Sequence, residues 1–201
     1  FRDDQGEPGE AIKIAEELMT RDGAVMITGS ILSNVGLALS SLAAEKKFIY
    51  LASEPLADSL VWASGNDYTF RLRSSTYMQA AMLAEQAAQS DAIRYATIAP
   101  NYAYGKEAVE AFKKVLTSLK PDVEFVTEQW PALFNIDAGA EAQALERSKP
   151  DAIFNVTFGT DLACLVREGT TRGVFDDRMV YGMLTGEPEY LDPLVDEAPE
   201  G

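Results

Sequence analysis

Residues 95–119 read YATIAPNYAYGKEAVEAFKKVLTSL. The opening Tyr95 to Ala99 is a short run of strand length, and Pro100 and Asn101 break it. Beyond the loop, Val109, Phe112, Leu116 and Leu119 recur at i, i+3, i+7 and i+10, which places them on one face of a helix over 106–119. A second strand-like run follows at 123–130. Strand, loop, amphipathic helix and strand in this order make a βαβ unit, whose strands are parallel and whose crossover is right-handed.

The same rhythm extends in both directions. Towards the C-terminus it predicts a helix at 139–148, a strand at 152–156, a helix at 160–170 and a strand at 179–183. Towards the N-terminus it predicts a helix at 8–21, with Pro8 in the first turn, Ala11, Ile12, Ala15, Leu18 and Met19 on one face, and Asp22-Gly23 as its stop. Strands at 24–28, 48–52 and 68–72 then alternate with helices at 34–45 and 76–90, and 54–66 reads as loop. Short apolar strands alternating with helices specify an α/β fold. The Gln89-Ser90-Asp91 break divides it into two Rossmann-like lobes with parallel sheets flanked by helices, lobe one at 1–91 and lobe two at 92–201.

Composition removes whole classes of function. Apolar residues make up 47% of the 201, enough for a folded core. There is no histidine, so histidine general bases, catalytic triads and His-ligated zinc are excluded. Cys164 is the single cysteine, expected to be small and buried in a helix. The net charge of −15 opposes binding to nucleic acid or insertion at an anionic membrane surface. No apolar run is long enough to span a bilayer, and neither GxGxxG nor GxxxxGK[ST] occurs. The acid pairs Asp3/Asp4, Asp176/Asp177 and Glu187/Glu189 raise metal or glycosidic chemistry, but among 32 acids such pairs arise by chance. No cofactor is expected.

In open parallel sheets, ligands bind beyond the carboxyl ends of the strands. Gly29-Ser30-Ile31-Leu32-Ser33-Asn34 follows the first strand. It reads either as an anion site, with Ser30 and Ser33 hydroxyls and helix N–H groups as donors, or as a plain cap made by Ser33 or Asn34. Ser53, in Ala52-Ser53-Glu54-Pro55, adds a hydroxyl to the same anion or belongs to a turn set by Pro55. Tyr102 and Tyr104 either wall a pocket or pack on the sheet, and Thr157-Phe158-Gly159 is a further candidate loop.

Several stretches taken in order carry a resemblance. They are Asp3-Asp4-Gln5-Gly6, the helix ending Glu17-Leu18-Met19, Gly29-Ser30-x-x-Ser33, Tyr68-Thr69-Phe70-Arg71, Tyr104-Gly105-Lys106, and Asp196-Glu197-Ala198-Pro199-Glu200-Gly201. Over essentially all 201 residues the chain resembles the periplasmic substrate-binding proteins of ABC transporters, in the branched-chain amino-acid (leucine, isoleucine, valine) receptor family. The resemblance implies the type I periplasmic-binding-protein fold, two lobes joined by a hinge with a small ligand enclosed between them. It also implies that the chain is a fragment, with lobe one incomplete. Phe1-Arg2-Asp3-Asp4 itself reads like the end of a strand. By the same resemblance Ser33 binds the ligand carboxylate, Leu51 and Ser53 assist, Tyr104 contacts the ligand from lobe two and Phe158 falls near another aromatic contact. The acid that meets an amino group in such receptors falls at Leu184, with Glu187 nearby as a substitute.

The function expected is therefore not enzymatic: a periplasmic, or membrane-tethered extracellular, receptor delivering a small carboxylate, an amino acid or an aromatic or organic acid, to the membrane permease of an ABC importer. A cytosolic amide- or amino-acid-sensing regulator of the same fold and a carboxylate-based hydrolase are the alternatives.

Overall fold

The computed structural model describes residues 1–194 and 197. Its elements are α1 (Pro8–Thr20), β1 (Met26–Gly29), α2 (Ser33–Lys46), β2 (Ile49–Ala52), β3 (Thr69–Arg71), α3 (Thr76–Ala88), β4 (Arg94–Ile98), α4 (Ala103–Leu119), β5 (Glu124–Gln129), α5 (Ala138–Ser148), β6 (Ala152–Asn155), α6 (Gly159–Thr171), β7 (Met179–Gly182) and the single-turn α7 (Pro188–Leu191). A 3-10 turn at Asp58–Leu60 interrupts the stretch read as loop.

The chain divides into two compact units, Phe1–Met78 and Gln79–Gly201. The division falls inside α3, whereas the sequence reading placed it after that helix, at 91. The two ends of α3 are tied to different units. At its start, Thr76 Oγ1 and the Tyr77 N–H both donate to Asp58 Oδ2, at 2.5 and 2.9 Å. At its end, the Ala87 carbonyl accepts the Tyr95 hydroxyl at 3.1 Å.

In the first unit, β1, β2 and β3 form a parallel sheet in that order. Ile27 is level with Tyr50, and Tyr50 with Thr69. Tyr50 and Ala52 are fully buried, and α2 contributes Val35, Leu39, Leu42 and Ala43 to the core. From α1, Ala11 and Ala15 are buried. Asp3 and Asp4 accept the N–H groups of Gln5 and Gly6, so this acid pair closes the turn that leads into α1.

In the second unit the sheet is parallel with order β5-β4-β6-β7. β4 and β6 lie at its centre, with Tyr95 level with Ala152 and Ile98 with Asn155. Side chains alternate between the faces of a strand. Ala96, Ile98 and Ile153 accordingly form one core with Ala142 and Leu145 of α5 and Leu165 of α6. On the other face, Phe112 of α4 stacks on Phe154, with centroids 4.0 Å apart and rings 4° from parallel, and Tyr95 and Tyr181 lie beside Phe112. Leu119, placed by its spacing on the apolar face of α4, is exposed at the helix end. Cys164, expected to be buried, is exposed because it lies on the outer side of α6, away from Leu162 and Leu165.

Among the described residues no helix is long and apolar enough to cross a membrane. The closing stretch Asp196 to Gly201 lies outside the described residues apart from Glu197, which pairs with Arg167 at 2.5 Å.

Candidate functional site

In the first unit, β1 and β2 run side by side, and their carboxyl ends bring Ser30, Ser33, Leu51 and Ser53 into one neighbourhood. Gly29 is level with Ala52, and the Ser53 N–H reaches the Gly29 carbonyl at 3.5 Å. Ser33 is the first residue of α2 and is 2% exposed. It does not cap the helix, and neither does Asn34. Leu32 takes the cap position with extended backbone and no side-chain bond, because the chain turns into the helix one residue earlier than expected. Ser33 Oγ instead accepts the Ala57 N–H at 3.1 Å, which fixes the loop after β2 against the start of α2. The bond uses a lone pair, so the Ser33 proton remains available to a ligand acceptor. The N–H groups of the first turn have no acceptor within the helix.

Ser30 differs from expectation. It stands in the left-handed region with φ 61°, and its Oγ lies 2.6 Å from the Tyr50 hydroxyl. That hydroxyl donates to the Gly29 carbonyl at 3.2 Å, so the proton between the two oxygens is the one from Ser30. Ser30 is therefore committed as a donor to Tyr50. Burial holds the Tyr50 phenol neutral, with its pKa pushed up to about 12. Leu51 is similarly engaged, since its carbonyl accepts Thr28 Oγ1 at 3.0 Å.

In the second unit, the helix after β4 leads to β5 on one side of the sheet and the helix after β6 leads to β7 on the other. The gap between β4 and β6 is thus a topological switch point, where the two following loops diverge and leave a crevice. Tyr102 and Tyr104 follow β4 and Phe158 follows β6. Tyr102 and Phe158 occupy the extended positions that open α4 and α6. Tyr104 is 2% exposed and lies edge-on to Phe158, with centroids 5.8 Å apart at 78°. Tyr102 is 5.9 Å from Tyr104. Burial, reinforced by nearby Tyr190, pushes the Tyr102 phenol well above its usual range, so it stays neutral.

Two glycines let these rings approach. A Cβ on Gly105 would lie 2.1 Å from the Pro100 carbonyl oxygen, so α4 can begin this close to the end of β4 only without one. Gly159, at φ 59°, turns the chain from Phe158 into α6 in a conformation that side chains resist. Asn155 Oδ1 accepts both the N–H and the hydroxyl of Thr157, at 3.0 and 2.7 Å, and shapes the same turn.

Sequence reasoning missed Phe134. Its ring stands edge-on to Phe158, 5.7 Å away at 82°, and completes a row Tyr102–Tyr104–Phe158–Phe134. Nothing in 131–137 has the period of a strand or helix, so no local pattern marks the residue, and its N–H is held by a non-local bond to Asp161.

Glu187 follows β7 and opens α7, with its N–H on the Leu184 carbonyl at 3.1 Å. Glu187 is partly exposed, whereas Leu184 is buried. Among the described residues no cluster of three or more Asp, Glu or Cys side chains is arranged to hold a metal ion.

A family model described as "Periplasmic binding protein" matches residues 1–201. Comparison with curated proteins finds no match. Among solved structures, an extracellular ligand-binding receptor from Rhodopseudomonas palustris HaA2 superimposes with a TM-score of 0.88 at 21% identity, over 98% of this chain and 54% of its own. A solute-binding protein of an ABC transporter from Rhodopseudomonas palustris BisB5, in complex with 3,4-dihydroxybenzoic acid, gives 0.85 at 22%, over 99% and 53%. An amino acid ABC transporter substrate-binding protein from Pseudomonas fluorescens Pf-5 gives 0.76 at 23%, over 89% and 48%. The chain spans about half the length of these structures and shares their fold, parallel sheets flanked by helices in the type I periplasmic-binding-protein arrangement.

Proposed function

The chain belongs to the periplasmic binding protein family, matched over residues 1–201, and on that premise we propose that it is an extracytoplasmic receptor that binds a small carboxylate and delivers it to the permease of an ABC importer. The aromatic row at the β4–β6 switch point carries this reading. Exposed Phe134 and partly exposed Tyr102 offer apolar surface to a hydrocarbon body, backed by the buried Tyr104 and Phe158, and the Tyr102 phenol is held neutral by burial, so the wall suits retention rather than bond-breaking. In the first unit, Ser33, whose proton remains to be donated, the first N–H groups of α2 and Ser53 make a set of donors suited to a carboxylate. Ser30 serves by orienting Tyr50 and Gly29. The bound 3,4-dihydroxybenzoic acid of one structural neighbour is a ligand of this kind. By the resemblance Leu184 falls where an acid would meet an amino group, and its burial as an apolar residue favours a carboxylate without an α-amino group. Glu187 is the residue that would meet one if the ligand carries it.

Isothermal titration across three variants tests the assignment. A charge-assisted hydrogen bond contributes about 1.5–3 kcal/mol, so Ser33→Ala is expected to weaken carboxylates by about 10- to 100-fold and their amide analogues much less. Tyr104→Ala removes packing and weakens acids and amides alike. Glu187→Gln leaves acids without an amino group unaffected. Unchanged carboxylate affinity in Ser33→Ala would overturn the anion site, and a selective loss of amino-acid binding in Glu187→Gln would overturn the preference for ligands without an amino group.

A further inference from the structure

Phe134 sits in a costly way for a residue that contributes so little to the core. Its backbone is left-handed, with φ 56°, a region that bulky side chains seldom occupy. The ring is 53% exposed, so core burial does not explain why the conformation is kept. The conformation is imposed from outside. Asp161, in the first turn of α6 and only 5% exposed, accepts the Phe134 N–H at 2.7 Å and the Ile136 N–H at 3.3 Å. A tight turn from Ala132 to Asn135 and the Asn101 N–H on the Pro131 carbonyl, at 2.9 Å, fix the loop from its other end.

Topology makes the placement more telling. The loop follows β5, and β5 is separated from β6 by β4. To touch Phe158, Phe134 must reach across the carboxyl end of β4, over the crevice that the switch point opens. The 3.7 Å separation between its Cε1 and the Cβ position of Gly159 shows the ring seated against the start of α6. A left-handed phenylalanine and a buried carboxylate are together used to hold one half-exposed residue beside Phe158.

We infer that Phe134, held by Asp161, is a specificity-determining residue that makes the pocket prefer a flat aromatic carboxylate over a saturated one of the same size. The inference rests on the receptor reading above. Buried Phe158 holds Tyr104 at 78° and Phe134 at 82°, so the exposed Phe134 is the ring of this edge-on set that an incoming ring meets, poised for edge and offset contacts. A saturated ring fills the same space without them. Asp161 acts through Phe134 and is a positioning residue.

Titration of ligand-free protein with benzoate and with cyclohexanecarboxylate gives an affinity ratio that reads the aromatic preference apart from the carboxylate. Phe134→Leu, which keeps an apolar side chain, is expected to lower this ratio by about three- to tenfold, the range of aromatic pair contacts beyond area. Asp161→Asn is expected to lower the ratio in the same direction, and Phe134→Leu/Asp161→Asn to lower it no further than Phe134→Leu alone, whereas a merely structural Asp161 would leave the ratio unmoved. An unchanged ratio in Phe134→Leu, with Ser33→Ala still weakening both acids, overturns this inference and leaves the receptor reading standing. Binding of other carboxylates but of neither probe also overturns the inference alone. Absence of binding to any carboxylate overturns both.

Discussion

A single proton decides what Ser30 can do. Tyr50 gives its own to the Gly29 carbonyl, so Ser30 donates to Tyr50, whereas Ser33 only accepts, from the Ala57 N–H. The pair has a consequence at alkaline pH. Burial raises the Tyr50 pKa to about 12, against about 10 for an exposed phenol. Between these values the unfolded chain loses a proton that the folded chain keeps. The stability Tyr50 contributes is therefore complete below about pH 10 and is lost as the pH climbs through about 12. Urea unfolding of the wild type should show a fall in stability between about pH 10 and about pH 11.5 that is smaller in Tyr50→Phe. Equal falls in the two proteins would show that Tyr50 is not the group responsible. At this scale, legibility depended on range. The positions of Tyr104 and Phe158 beyond strand ends were readable because an apolar strand precedes each by a few residues. The commitment of Ser30 was not, because Tyr50 lies on the next strand, and Phe134 was not, because Asp161 is held in another helix.

Elements with a long apolar run or a full helical period were legible. The predicted strand at 152–156 is β6 at 152–155, every residue of which is buried, and the predicted helix at 139–148 is α5 at 138–148. α7 escaped because Pro188–Leu191 is a single turn with no period to detect. The division within α3 escaped because its cause is two sets of tertiary bonds at opposite ends of one helix. The start of α4 shows how an element positions a site. Gly105 lies so close to the Pro100 carbonyl oxygen that an added Cβ at 2.1 Å must displace backbone rather than a pliable side chain. Gly105→Ala is expected to lower stability by about 1–3 kcal/mol, as overpacking does, and to lift the first turn of α4 away from β4 with Tyr104 on it. Thermal melting should fall by roughly 2–4 °C per kcal/mol, and carboxylate affinity should fall with it. A variant with wild-type melting and wild-type affinity would show that α4 can shift without moving the wall.

For the molecule as a whole, an open sheet edge and a strong net charge pull in opposite directions. β1 is at the edge of its sheet. A groove of about 590 Å³ runs beside it, lined in part by Ala11, Ile14, Ala15, Leu18 and Leu39, with Met26 and Thr28 of the strand on its wall. Val25 and Met26 are exposed there, and an exposed apolar edge is a template for pairing with another chain. Against this stands a net charge of −15, which makes two copies repel. Repulsion between surface charges is screened over about 10 Å at 0.1 M salt and over about 3 Å at 1 M, whereas burial of the groove is not screened. The polypeptide of residues 1–201, prepared alone, is therefore expected to self-associate, and to do so more as salt is raised. Sedimentation velocity at low and high salt is the measurement. Met26→Lys places a charge on the edge and should reduce association at every salt concentration without altering the second unit. A monodisperse monomer that melts cooperatively at high salt would show that the β1 edge is closed by a contact within the chain. Association that falls with salt would show that pairing is driven by complementary charges rather than by the apolar groove.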